Sequence, residues 1–135
     1  MKRFVAMLVL CLTSMHARST ETQVLAEHAK TISPASDALF EAEATPPSSA
    51  QDWDKLRASA ADLERAAARL ASKDLAKDRA QWIEFAQALQ AQARQAVLAA
   101  EKQDQAALVT ANGDIVSTCE DCHAKYRDGG RSMKQ

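Results

Sequence analysis

The chain has 135 residues, enough for one domain. Glycine and proline are scarce, three of each, and alanine, leucine, glutamine and charged residues dominate, so composition favours helix over sheet. A formal net charge of -1 gives no basic excess to suggest nucleic acid as a partner.

The N-terminus reads as a separate segment. Lys2 and Arg3 precede an apolar run, Phe4 to Leu12, that is too short to span a bilayer. With the small residue Ala17 beyond it, the pattern predicts a secretory signal peptide over residues 1–17, removed by cleavage. A lipoprotein reading through Cys11 is weaker, because the bulky Leu10 stands where a small residue is wanted; an uncleaved anchor is the other alternative. Cleavage would remove Cys11, His16 and three of the four methionines, leaving Met133 near the C-terminus.

Four amphipathic helices follow. The first is predicted from Glu21 to Ala44, with Thr20 and Gln23 as a capping box and Leu25, His28, Ile32, Ala35 and Leu39 as its apolar stripe. Pro34 lies inside this pattern and should kink the helix or start it afresh. Thr45-Pro46-Pro47-Ser48 reads as a linker. The second helix, Gln51 to Ala71, has Ser49 and Asp52 at its start and a seam of Trp53, Leu56, Ala60, Leu63, Ala67 and Leu70. The third, Leu75 to Lys102, carries Trp82, Phe85, Leu89, Ala96 and Ala99 on one face, flanked by Ile83, Ala86 and Val97. The fourth starts after Asp104 and runs to about Arg127, with Leu108, Ala111, Ile115, Cys119, Cys122 and Tyr126 near one side. Asn112-Gly113 interrupts it with a turn signal, although the helical period continues on both sides; Gly113 would then allow close packing. The fold expected is all-α, an antiparallel four-helix bundle over residues 18–128, with a flexible tail at 129–135.

The fourth helix holds the most specific signal. Cys119-Glu120-Asp121-Cys122-His123 is a Cys-x-x-Cys-His sequence, the attachment motif of a c-type haem. Residues at i, i+3 and i+4 share one helical face, so two thiols and one imidazole can address a single ligand. Cys119 and Cys122 would form the thioethers, and His123 would be the proximal iron ligand. A dithiol redox pair or half a zinc site is the competing reading; after cleavage, His28 is the only other histidine and no other cysteine remains to complete a zinc site. Export and haem attachment support each other, since bacteria attach haem covalently outside the cytoplasm.

The chain resembles the class II c-type cytochromes, the family of cytochrome c′ and the low-spin cytochromes c-556. The resemblance rests on Cys119-Glu120-Asp121-Cys122-His123-Ala124-Lys125-Tyr126-Arg127 near the C-terminus. It extends to Ile32-Ser33-Pro34-Ala35-Ser36-Asp37-Ala38-Leu39-Phe40 in the first helix, Asp52-Trp53-Asp54-Lys55-Leu56 in the second, and Trp82 in the third. It implies one haem c per chain, held near one end of the bundle. It also implies electron transfer in low-spin members and gas binding in five-coordinate ones. Low-spin members take a first-helix methionine about six residues before the Pro-Ala-Ser segment as sixth ligand. Here that position is His28. Since His28 also lies on the apolar stripe, it is the expected distal ligand, giving bis-histidine iron; a core histidine held by a neighbour is the alternative.

The resemblance places Arg127 near the haem and its ligand, where it would hold a propionate; a solvated helix-end charge is the alternative. Tyr126 would pack on the haem or cap the core. Trp53 and Trp82 read as core residues, with a haem contact by Trp53 as a second reading. Lys125, Arg127, Arg131 and Lys134 make a basic end that could meet an acidic redox partner or simply be solvated. The expected function is that of a periplasmic monohaem cytochrome carrying single electrons to and from redox partners in the periplasm or at the membrane surface. No second catalytic constellation suggests an enzyme. The alternatives are a five-coordinate protein binding NO or CO, and a module that keeps haem for stability alone. Many class II members pair through their first two helices, so a homodimer is among the assemblies the resemblance implies.

Overall fold

The computed structural model describes residues 21–76 and 80–127. The expected leader, its Cys11 and His16, the Thr20 cap and the tail with Met133, Arg131 and Lys134 lie outside them. The described residues form an all-α bundle of four helices, the fold class predicted from composition and periodicity. Helix α1 covers residues 21–44, α2 Ala50–Leu70, α3 Ala80–Glu101 and α4 Gln105–Tyr126. Among the described residues no helix is long and apolar enough to cross a membrane.

Local sequence accounts for the helix ends. Ser49 caps α2: its hydroxyl accepts the Asp52 backbone N–H at 3.1 Å and donates to the Asp52 carboxylate at 2.7 Å. That bond holds the Asp52 carboxyl below its ordinary range. Asp104 caps α4 by accepting the Ala107 N–H at 3.0 Å. The turn between α3 and α4 is tight. Gln103 sits in the left-handed region (φ 53°), and the Asp104 N–H returns to the Ala99 carbonyl at 2.9 Å. A non-glycine residue there costs about 1 kcal/mol, which the closed turn offsets.

The core follows the predicted seams. Ala60, Ala67, Ala93 and Ala96 are fully buried, and side chains this small let α2 and α3 approach closely. Leu39, Leu63, Leu108 and Ile115 are the largest fully buried apolar side chains, each contributing roughly 1.5–3 kcal/mol of transfer free energy. Two amides on α4 reach α1: Asn112 Nδ2 donates to the Leu39 carbonyl at 2.8 Å, and Gln105 Nε2 to the Ala42 carbonyl at 3.0 Å.

Three expectations are corrected. Gly113 does not provide close packing, although α4 does continue through Asn112-Gly113 as its helical period implied. The helix runs straight through, Asn112 faces the core, and a Cβ on Gly113 would meet nothing within 4 Å. The third helix starts at Ala80 and not Leu75, although Leu75 is buried in the turn before it. Leu25 is 64% exposed, so the apolar stripe of α1 begins only at His28.

Pro34 lies in the first turn of a fresh α-helical stretch, Ser33–Ala44, one of the two outcomes expected of it. The five residues His28–Ile32 form a π-turn, and the Ser33 N–H bonds to the His28 carbonyl five residues back. A proline ring clashes with the carbonyl four residues before it. Widening the helix by one residue relieves that crowding, and α1 continues as Ser33–Ala44.

Candidate functional site

Antiparallel packing brings the start of α1, the end of α2, the start of α3 and the end of α4 to one end of the bundle. A small hollow of about 60 Å³ opens there. The face of α4 that carries the motif lines it with Thr118, Cys119, Cys122 and His123. Leu70 of α2 and Trp82, Phe85, Ala86 and Leu89 of α3 form the apolar walls, and His28 and Ile32 of α1 close the remaining side. A larger groove beside the 45–48 linker is polar and lacks ligating histidine or cysteine.

His28 and His123 face each other across this hollow, with ring centroids 5.7 Å apart and planes inclined by 47°. Metal–nitrogen bonds of about 2 Å on opposite sides of one ion put imidazole centres about 6.3 Å apart. The observed spacing falls within an ångström of that figure. Both thiols are half-buried and unbridged on the same helical face as His123. Burial, reinforced by the charge of Glu120, pushes the Cys119 thiol up from its ordinary 9.0 and keeps it protonated at neutral pH. Among the described residues no three His, Cys, Asp or Glu side chains converge tightly enough to hold a bare ion. That dispersion, around an apolar hollow, suits a wide planar ligand better than zinc.

Each histidine has a polar partner at Nδ1. Arg127, one turn after His123, sets Nη1 3.2 Å from its Nδ1. The side chain expected at a propionate thus lies against His123 itself. Ser33 places Oγ 3.4 Å from Nδ1 of His28. Glu27, next to His28, pairs with Arg69 of α2 at 3.3 Å and ties the start of α1 to the bundle.

Both tryptophans are buried, as read from the sequence, but of the two it is Trp82 and not Trp53 that stands beside the site. Trp53 is buried near the start of α2, away from the end where the hollow opens, and is not among the residues lining it. Trp82 is the wall residue. Its indole N–H donates to the Leu70 carbonyl at 2.7 Å, and its ring meets Tyr126 edge-on with centroids 4.9 Å apart. Phe85 also meets Tyr126 edge-on, at 6.3 Å, so Tyr126 packs on the wall beside the motif. The signal for Trp82 was its place at a helix start, directly opposite the end of α4. Of the basic residues at this end, Lys125 bonds to Gln81 of α3.

Residues 71–127 match the family model described as Cytochrome C'. The matched stretch takes in α3, α4 and the whole Cys-x-x-Cys-His motif, while α1 with His28 lies outside it. Neither the curated proteins nor the solved structures provide a match.

Proposed function

We propose that this chain, whose residues 71–127 match the Cytochrome C' family model, is a class II c-type cytochrome that takes a haem cofactor and acts as a low-spin electron carrier with His123 and His28 as its two iron ligands. The observation that carries the reading is the facing pair of imidazoles 5.7 Å apart. Bound haem iron supplies a one-electron couple. Cys119 and Cys122 would hold one haem per chain through thioethers, and their place on the His123 face directs that ring to the metal. His28 would fill the sixth position, leaving no open site for a diatomic gas. Leu70, Trp82, Phe85 and Leu89 restrict water around the metal, which is one of the protein's controls on potential. Two imidazoles favour ferric iron relative to a histidine–methionine pair, because methionine raises the potential.

Absorption and electron paramagnetic resonance spectra of the native protein, His28→Ala and His28→Met test the ligation. The native protein should be low-spin and slow to bind carbon monoxide. His28→Ala should turn high-spin and bind it readily, and His28→Met should have a raised potential. The same high-spin spectrum in all three proteins would reject the reading and favour a five-coordinate, gas-binding haem.

We further propose export to the periplasm, supported by the charged and apolar pattern of residues 2–12, with redox proteins there or at the membrane surface as partners. A mature N-terminus near residue 18 in periplasmic extracts is the expected result.

A further inference from the structure

We infer that Ser33 is a positioning residue for the sixth iron ligand: its hydroxyl accepts the Nδ1–H of His28 and so presents Nε2 to the metal. This rests on the proposed ligation by His28. Three observations support it. The Ser33 hydroxyl lies 3.4 Å from Nδ1 of His28. The Ser33 backbone N–H bonds to the carbonyl of the same residue, so two groups of Ser33 return to His28. The π-turn makes this possible. In a regular α-helix five residues turn about 500°, leaving i+5 about 140° away from i, on another face. The wider turn His28–Ile32 brings the fifth residue back over the first.

The chemistry of the two Nδ1 partners differs. A neutral imidazole that ligates iron through Nε2 carries its proton on Nδ1, and an acceptor there makes the ring more basic. The guanidinium of Arg127, beside His123, only donates. The Ser33 hydroxyl can accept, so it favours the ligating tautomer of His28 and fixes the plane of the ring. The device that accommodates Pro34 therefore also supplies the outer partner of a ligand.

The test uses haem-loaded Ser33→Ala, Ser33→Val and Ser33→Thr, with His28→Ala as control. The readouts are the rate of carbon monoxide uptake by reduced protein and the reduction potential. Loss of an outer-shell partner typically weakens ligation 10–100-fold. Uptake should therefore rise by about that factor in Ser33→Ala and Ser33→Val. The potential should rise in both, as the bond that makes His28 more basic is lost. Ser33→Thr, which keeps the hydroxyl, should stay near native. Valine has the shape of threonine without its hydroxyl, so valine behaving like threonine would overturn the inference, as would native values for Ser33→Ala. If His28→Ala accelerates uptake while the alanine and valine variants do not, ligation by His28 stands and only the role of Ser33 falls. If His28→Ala itself matches the native protein, the ligation reading fails, and the inference with it.

Discussion

Asn112 gives the sharpest test of how α1 is held against α4. It is 1% exposed, its Nδ2 donates to the Leu39 carbonyl at 2.8 Å, and its Oδ1 is buried with no partner among the described residues. Asn112→Leu keeps the branched outline of the side chain but enlarges it, because two methyl groups replace the smaller amide oxygen and nitrogen. It removes one hydrogen bond, worth about 1 kcal/mol net. It also removes an orphaned buried oxygen, whose desolvation costs about 1–3 kcal/mol. Leu39 lies inside a helix, so its carbonyl keeps its backbone partner. Fitting the larger side chain into a filled core costs about 1–3 kcal/mol. The sum for Asn112→Leu lies between a loss of about 3 kcal/mol and a gain of about 1 kcal/mol. Asn112→Asp differs. It removes the donor and puts a carboxylate against the Leu39 carbonyl, near the Glu43 carboxylate that Nδ2 now approaches at 3.5 Å. An unpaired buried charge costs about 3–5 kcal/mol. Urea unfolding of the haem-loaded variants, followed by far-ultraviolet circular dichroism, measures both. A loss above about 3 kcal/mol in Asn112→Leu would refute the reasoning, because the amide would then supply more than the one bond assigned to it.

Two further outcomes follow from the walls and the motif. Trp82→Phe removes the indole N–H that reaches the Leu70 carbonyl and should cost about 1–3 kcal/mol in the same assay, with the iron spin state unchanged; native stability would show that this bond contributes nothing. In protein made without thioether attachment, the raised Cys119 thiol ties stability to pH. Below 9.0 the thiol is protonated in both folded and unfolded chains, and its contribution is complete. As pH rises further the unfolded chain ionises first, so stability should fall toward the folded-state value. The thioether-linked protein has no thiol to ionise, and a parallel decline in both forms would count against this cause.

The seams were legible because alanine and leucine at three- and four-residue spacing have one physical reading, a face buried against another helix. The Ser49 and Asp104 caps were legible because the side chain that marks the start also makes the bond. The π-turn was not: Pro34 announces a disturbance, but whether the chain kinks, restarts or widens depends on what packs around it. Asn112 was hidden for another reason. Its acceptor is 73 residues away, and Asn-Gly as a local pair points to a turn. At the site, the motif picked out three groups by itself, and the family resemblance together with the helical stripe pointed to His28. Ser33 escaped notice because five-residue spacing connects nothing in a regular helix. Trp53 and Trp82 look alike as apolar heptad positions, and only the antiparallel arrangement decides which stands at the haem end.

The facing imidazoles come from the first and last helices, at residues 28 and 123. A shared metal bond between them would thus act as a clasp around most of the chain. For a closed loop of about 95 residues, the chain-entropy treatment used for disulfides gives about 4–5 kcal/mol relative to an open unfolded chain, wherever both bonds persist after unfolding. Under the proposed attachment, thioethers would keep the His123 end joined to the group in any case. Each visit of His28 to the metal in the unfolded ensemble would then hold the two ends of the bundle together before the helices between them have packed.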